Sequence, residues 1–413
     1  MIGGTVIKKK IGILSYRFPP LEGRDADFCL SFFKNLRRFD IDSYIITHKG
    51  FRNGTGNIKD ISKKYIYRIR DSFIFNFLRR YAVFRELLRI ILFPDQFASW
   101  IANAIIKGIH IIKEKKITHL FVMTPPASNL LIAYFFNLFT KVHLIIYIAD
   151  LWTENPYLKL KRRYHFPIAR RLEKSVLSKA KIILCASKKY IPILEKNSID
   201  PHKCHFIPFG FDTRSFKNIK PMKLKKYTIL HAGTIYPGKY VNPVHLFKAV
   251  RLLLDERADL QRHFQIVFCG KYPNYVEDLI SRMGLENIVV LKGYLPKKRA
   301  LKYILSSDLN LLLLYPRRGT EIIIPSKIYE YMKSGKKVLG LVPKNGISGK
   351  MINKHNLGRV IHPDNINEIK EYIINQIERY LKKKSDKKIN KFDLDKFERF
   401  NITKKIVRLI ENT

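Results

Sequence analysis

The chain has 413 residues, 46% of them hydrophobic and 12% aromatic, which excludes a disordered chain and allows two or three domains with sizeable cores. Lysine and arginine total 78 against 34 acidic residues, a formal net charge of +44, and such a field favours anionic partners: phosphorylated substrates, lipid headgroups or nucleic acid. The excess is spread along a chain rich in Lys, Ile, Asn and Tyr, as a coding bias toward A and T would also produce, so charge alone does not select among them.

The four cysteines, Cys29, Cys185, Cys204 and Cys269, are far apart with no CxxC or metal-ligand spacing. They read as buried thiols in a reducing compartment. At the start, "MIGGTVIKKKIGIL" places its lysines directly before a strand-like run with no cleavage site, so no signal peptide is expected. The most apolar stretch, "LLIAYFFNLF" (130–139), falls short of the roughly 18 uncharged residues a membrane helix needs, and Lys141 and His143 follow it. No spanning helix is expected.

In chain order, "KKIGILSYRFPPLEGRDADFCLSFFKNL" (9–36) is an apolar run, a Pro/Gly loop and a segment of helical period. Strand candidates follow at 43–48, 119–124, 143–150, 181–187 and 204–210. Between them, 72–116 is helical with arginines through an apolar background, broken at Pro94. Its Arg79, Arg80, Arg85 and Arg89 suit a membrane surface with Phe75, Phe77 and Phe84 dipping in; an ordinary helix pair covering a sheet is the competing reading. The charged, Pro-bearing "DTRSFKNIKPMKLKK" (212–226) reads as a domain boundary. Then "KYTILHAGTIYPGKYVNPVHLFKAVRLLL" (226–254) repeats the opening order of strand, Pro/Gly loop and helix. Further strands are expected at 265–270, 287–293, 309–315 and 337–342. Continuous apolar runs alternating with helices predict parallel sheets buried on both faces, and the repeat predicts an α/β fold of two Rossmann-like, doubly wound domains.

Two loops of the second half suit a phosphate. Gly233 lets the backbone approach a ligand, and Lys239 sits where a phosphate would arrive. In "PSKIYEYMKSGKKVLG" (325–340), Pro325 and Ser326 start a helix and Gly335 ends it. Ile328, Tyr331 and Met332 share its buried face. Glu330 points elsewhere, either in a solvated i, i+3 pair with Lys327 or at a ligand beside a helix N-terminus that favours anions.

Together these segments resemble glycosyltransferase family 4, of the GT-B fold, over nearly the whole chain. "SYRFPPLEG" looks like the family's first loop, with Gly23 as its glycine. "YIADLWTENP" is similar to a branch acting in bacterial surface-polysaccharide assembly. "CASKKYIPILEKNSIDPHKCHFIPFGFDTRSF" resembles the run closing the first domain, with Phe209 in place of the usual Asn. "HAGTIYPGK" resembles the donor-diphosphate loop, with Lys239 on its lysine, and "IPSKIYEYMKSGKKVLG" the donor-ribose motif, with Glu330 on its second glutamate. Thr234 stands where the family usually carries an arginine, and Lys327 is expected to supply that cation. Ile322 stands where the first glutamate would be, with Glu321 beside it as the substitute.

The resemblance implies two Rossmann-like domains facing a cleft, over 1–215 and 216–393, with a closing helix at 394–413 that crosses back. It implies retaining, metal-independent transfer from a nucleotide-diphosphate sugar to a saccharide acceptor, lipid-linked through a polyprenyl diphosphate, with no cofactor. Lys239, Asp150 and Glu321 would be catalytic. Gly23, Gly233, Thr234, Ser326, Lys327 and Glu330 would bind the donor. Asp150 would orient the acceptor or, alternatively, cap a helix. An anionic membrane surface is the expected partner at the cytoplasmic face, with no specific nucleic acid. The competing readings are a catalytically degenerate relative, a nucleotide-sugar 2-epimerase and a basic nucleic-acid-binding protein.

Overall fold

A computed structural model describes residues 9–50, 61–72, 93–155, 165–236, 241–383 and 394–412. They form two compact units, residues 1–209 with 399–413, and residues 210–398.

The first unit is built on a sheet of β1 (Ile11–Ser15), β2 (Ser43–His48), β3 (Ile66–Ile69), β4 (His119–Thr124), β5 (His143–Ile148), β6 (Ile182–Cys185) and β7 (Cys204–Phe206). Its order is β3-β2-β1-β4-β5-β6-β7 and every pairing is parallel. The apolar runs explain this: every residue of β1 and β4 is buried, which suits strands covered on both faces by helices. Those helices are α1 (Arg24–Arg38), α2 (Ile101–Lys115), α3 (Ser128–Thr140), α4 (His165–Lys179) and α5 (Tyr190–Lys196).

The second unit repeats the plan with β8 (Tyr227–Ala232), β9 (Phe264–Cys269), β10 (Val289–Leu291), β11 (Leu309–Leu313), β12 (Lys337–Leu341) and β13 (Gly358–Ile361). The order is β10-β9-β8-β11-β12-β13, again parallel throughout. Its helices are α6 (Val244–Glu256), α7 (Tyr275–Arg282), α8 (Lys297–Ser306), α9 (Lys327–Ser334), α10 (Ile347–Lys354) and α11 (Ile366–Leu381). Ile229, Phe247, Leu311, Leu339 and Ile373 are fully buried in one core. In both sheets the strand order reverses once, between β1 and β4 and between β8 and β11. Ligands of such sheets bind outside the carboxyl ends of the strands at that switch point.

The last helix, α12 (Arg399–Glu411), lies in the first unit. Arg399 is buried, donating from Nε to the Phe209 carbonyl at 3.2 Å and from Nη1 to the Asp27 carbonyl at 3.0 Å. Asn35 on α1 donates to Thr403 Oγ1 at 3.2 Å. Phe209, which stands in place of an expected Asn, packs on Phe28 with ring centroids 5.1 Å apart.

Strands β3 and β13 were not anticipated. Both are short edge strands paired on one side, with Arg68 and Arg359 interrupting the apolar pattern and only partial burial. In the 72–116 segment the described part holds α2, preceded by the buried Trp100; Phe75, Phe77, Phe84, Arg79, Arg80, Arg85 and Arg89 lie outside the described residues. All four cysteines are free and buried, and no described helix is long and apolar enough to cross a membrane.

Candidate functional site

In the first unit the loops after β1 and β5 carry Gly23 and Asp150. Gly23 precedes α1 with φ of 157°, and a Cβ there would come within 2.5 Å of Asp25 Oδ1, so the position is kept open for that carboxylate. Asp25 is buried, its Oδ1 has no hydrogen-bond partner, and Arg17 Nη1 lies 3.5 Å from it. With Asp27 also in the first turn, the positive end of α1 is already faced by the chain's own carboxylates. Asp150 pairs with Arg24 of α1. A turn, not a helix, follows Asp150 over the described residues, so the capping alternative finds no helix there.

In the second unit the loops after β8, β9 and β10 are stitched backbone to backbone. Gly233 N–H donates to the Cys269 carbonyl at 2.7 Å, Gly270 N–H to the Gly293 carbonyl at 2.8 Å, and Ile235 N–H to the Lys271 carbonyl at 2.9 Å. Gly270, at φ of +156°, lies against the Gly233 carbonyl, where a Cβ has no room. Gly233, at φ of +158°, leaves a slot that the Lys327 amino group fills.

Lys327 opens α9, which follows β11 past the switch point. Ser326 is the cap residue but makes no side-chain cap bond. Ile328, Tyr331 and Met332 are buried as expected, Tyr329 with them. Gly335 ends the helix at φ of 68°. Lys327 does not pair with Glu330. Its Nζ lies 3.1 Å from Nε2 of the fully buried His231, while Glu330 Oε1 lies 3.5 Å from Lys297 Nζ at the start of α8. The i, i+3 pair is therefore replaced by two tertiary pairs, because Lys327 turns under Gly233 and Glu330 stays at the half-exposed rim.

The network continues inward. His231 Nδ1 is 3.1 Å from the Leu311 carbonyl, so it carries the proton and Nε2 is the acceptor. The same carbonyl accepts from Tyr331 Oη at 3.2 Å, and that oxygen accepts from Ala232 N–H at 3.0 Å. Burial, and then the Lys327 charge, hold His231 well below the ordinary histidine range. Burial pulls Lys327 down to about 7, opposed by Glu330, since an enclosed ammonium loses its hydration.

The structure brings Gly233, Thr234, Ser326, Lys327 and Glu330 into this second unit's switch-point region. Glu321 is exposed on the turn Thr320–Ile322. Lys239 lies outside the described residues. Sequence reasoning missed His231, Lys297 and Gly270, and read Tyr331 as a packing residue without its hydrogen bonds. A histidine one residue from the end of a buried strand, just before a glycine loop, was a visible signal for the first; the others are joined to their partners only by folding.

Residues 212–392 match the family model described as glycosyl transferases group 1. No curated protein sequence matches the chain at a significant level. Among solved structures, HepE of Anabaena in complex with UDP-glucose is 14% identical with a TM-score of 0.67, over 98% of this chain and 100% of that one. Sucrose-phosphate synthase of Thermosynechococcus elongatus is 12% identical with a TM-score of 0.67, over 98% of both chains. WaaG, a glycosyltransferase involved in lipopolysaccharide biosynthesis, is 12% identical with a TM-score of 0.61, over 98% of this chain and 100% of that one. The two parallel α/β sheets are those of the GT-B fold.

Proposed function

We propose that the chain is a retaining glycosyltransferase that moves a sugar from a nucleotide-diphosphate sugar to a saccharide acceptor. The observation that carries this reading is the Lys327 amino group held under Gly233 at the switch point of a unit that matches a glycosyltransferase family model. UDP-glucose bound to HepE, a structure of the same fold, supports a nucleotide sugar as donor. Glu330 would accept from the ribose hydroxyls. Breaking the anomeric C–O bond leaves negative charge on the diphosphate, which Lys327, Lys239 and the first N–H groups of α9 would stabilise, with no metal required. The leaving phosphate would take the acceptor's proton. Asp150, with Arg24 fixing it, would orient the acceptor, and Glu321 would touch the transferred sugar.

The acceptor would be a lipid-linked saccharide of a surface polysaccharide, met at the cytoplasmic membrane face by a chain whose excess positive charge favours anionic lipid. A second reading is a 2-epimerase, favoured by a TM-score of 0.56 to a UDP-N-acetylglucosamine 2-epimerase structure.

The test is a thermal-shift panel of UDP-, GDP-, CDP-, ADP- and TDP-sugars, followed by product analysis with and without saccharide acceptors. One nucleotide family should raise the melting temperature, and sugar should reach the acceptor with its anomeric configuration kept. Stabilisation by none of them overturns the reading in favour of a silent relative. Conversion of the donor to its C2 epimer without acceptor would assign the isomerase.

A further inference from the structure

The His231–Lys327 contact has a chemistry that diphosphate binding alone does not explain. A lysine meant only as a permanent cation is usually placed against a carboxylate or in water. Here its amino group enters a slot bounded by bare Gly233 backbone and meets a neutral nitrogen. The imidazole cannot turn away, because its Nδ1–H is tied to the Leu311 carbonyl and its ring is fully buried.

We propose that His231 is a positioning residue for Lys327: its Nε2 lone pair holds the amino group beneath Gly233, and the arriving diphosphate makes that amino group an ammonium. The proposal rests on the reading of the site as a nucleotide-sugar site. The balance is simple. On binding, the neutral amine takes one proton from solvent, no covalent bond to the substrate forms, and the diphosphate receives a cation donating at once to it and to His231.

The groups around Lys327 support an uncharged resting amine. Glu330, on the same helix, is the nearby carboxylate among the described residues, and its charge is shared with Lys297 of α8 at 3.5 Å. Burial keeps the Tyr331 hydroxyl protonated, and burial likewise pushes the Cys269 thiol at the end of β9 up to about 12. His231 is neutral. Burial lowers this amine to about 7, so its charged form is disfavoured at rest, and negative charge arriving beside it restores its affinity for a proton.

The experiment is calorimetric titration of the full chain with the nucleotide sugar selected by the thermal-shift panel, whose diphosphate does not itself titrate near neutrality. It is run across pH and in two buffers of different ionisation enthalpy. At about pH 8 the wild-type protein should take up most of one proton on binding, with affinity falling as pH rises. Lys327→Met should abolish both the uptake and the fall. His231→Phe should weaken binding about tenfold and move the falling limb to lower pH, and His231→Gln, which keeps an acceptor, should restore both. A merely structural histidine would lower the melting temperature without moving the limb. Wild-type binding without proton uptake, or an unmoved limb in His231→Phe, overturns the proposal while leaving the nucleotide-sugar reading intact. Absence of any nucleotide-sugar binding overturns both. Should His231→Phe not fold, proton uptake surviving in Lys327→Met is the overturning result.

Discussion

Tyr331 reaches from α9 to the end of β8, where its hydroxyl accepts the Ala232 N–H at 3.0 Å. One phenol thus fixes both the loop that carries Gly233 and, through the Leu311 carbonyl at 3.2 Å, the strand on the other side of the switch point. Tyr331→Phe keeps the ring and leaves the part-buried Ala232 N–H without its partner. The expected loss is about 1–3 kcal/mol. Urea unfolding checks it: the midpoint should fall while the slope stays constant.

Glu330 and Lys297 form a half-exposed pair at 3.5 Å, of a kind that contributes less than about 1 kcal/mol. Glu330→Ala should therefore leave the melting temperature of the unliganded protein nearly unchanged. It should also erase the stabilisation produced by the nucleotide sugar. A full ligand-induced shift in the variant would return Glu330 to the status of surface charge.

Arg399 donates to two backbone carbonyls, those of Phe209 and Asp27, and its guanidinium lies 5.5 Å from the Phe28 ring centroid. Arg399→Met keeps the stem and removes both bonds. We expect a loss of about 2–3 kcal/mol in chemical unfolding, since one buried and one part-buried carbonyl lose a charged donor. Lys404, exposed on the same helix, serves as the control, with Lys404→Ala within about 0.5 kcal/mol of wild type.

His119 gives stability a pH slope. Burial first, then His143 and Lys9, lower it from 6.5 to about 4. The unfolded chain therefore binds a proton between these values that the folded chain refuses, so stability falls as pH drops through that window. His119→Phe should flatten the slope between pH 6.5 and 4 in unfolding free energies measured at successive pH values. An unchanged slope would mean that His119 is as easily protonated folded as unfolded.

The charge of +44 predicts co-sedimentation with vesicles carrying anionic lipid and not with neutral ones. Raising salt from physiological strength to about 1 M shortens the screening length from ~8 Å to ~3 Å, which should release the protein. Retention through the high-salt wash would point to apolar insertion instead.

The alternation of strands and helices was legible because each central strand is a nearly unbroken apolar run. "HLFVMT" and "LNLLL" could hardly be anything else once bounded by loops. The edge strands β3 and β13 were not legible, since an edge strand is buried less and tolerates Arg68 and Arg359. Helix α9, from its Ser–Lys start to its glycine stop, could be read directly, because capping and periodicity act within a few residues. The first-turn carboxylates Asp25 and Asp27 were equally visible, yet their consequence for Gly23 emerges only where Asp25 folds back toward Arg17.

By itself, then, the sequence determined two α/β units and the glycine-bearing loops after their central strands, since apolar runs and glycine turns act locally. Tertiary structure decided the partners. Lys327 chose His231, ninety-six positions away, over Glu330 one turn along its own helix. Glu330 in turn paired with Lys297. The reason is that an amino group's proton affinity depends on the water and charges around it, and only the packed strands and Gly233 slot set those.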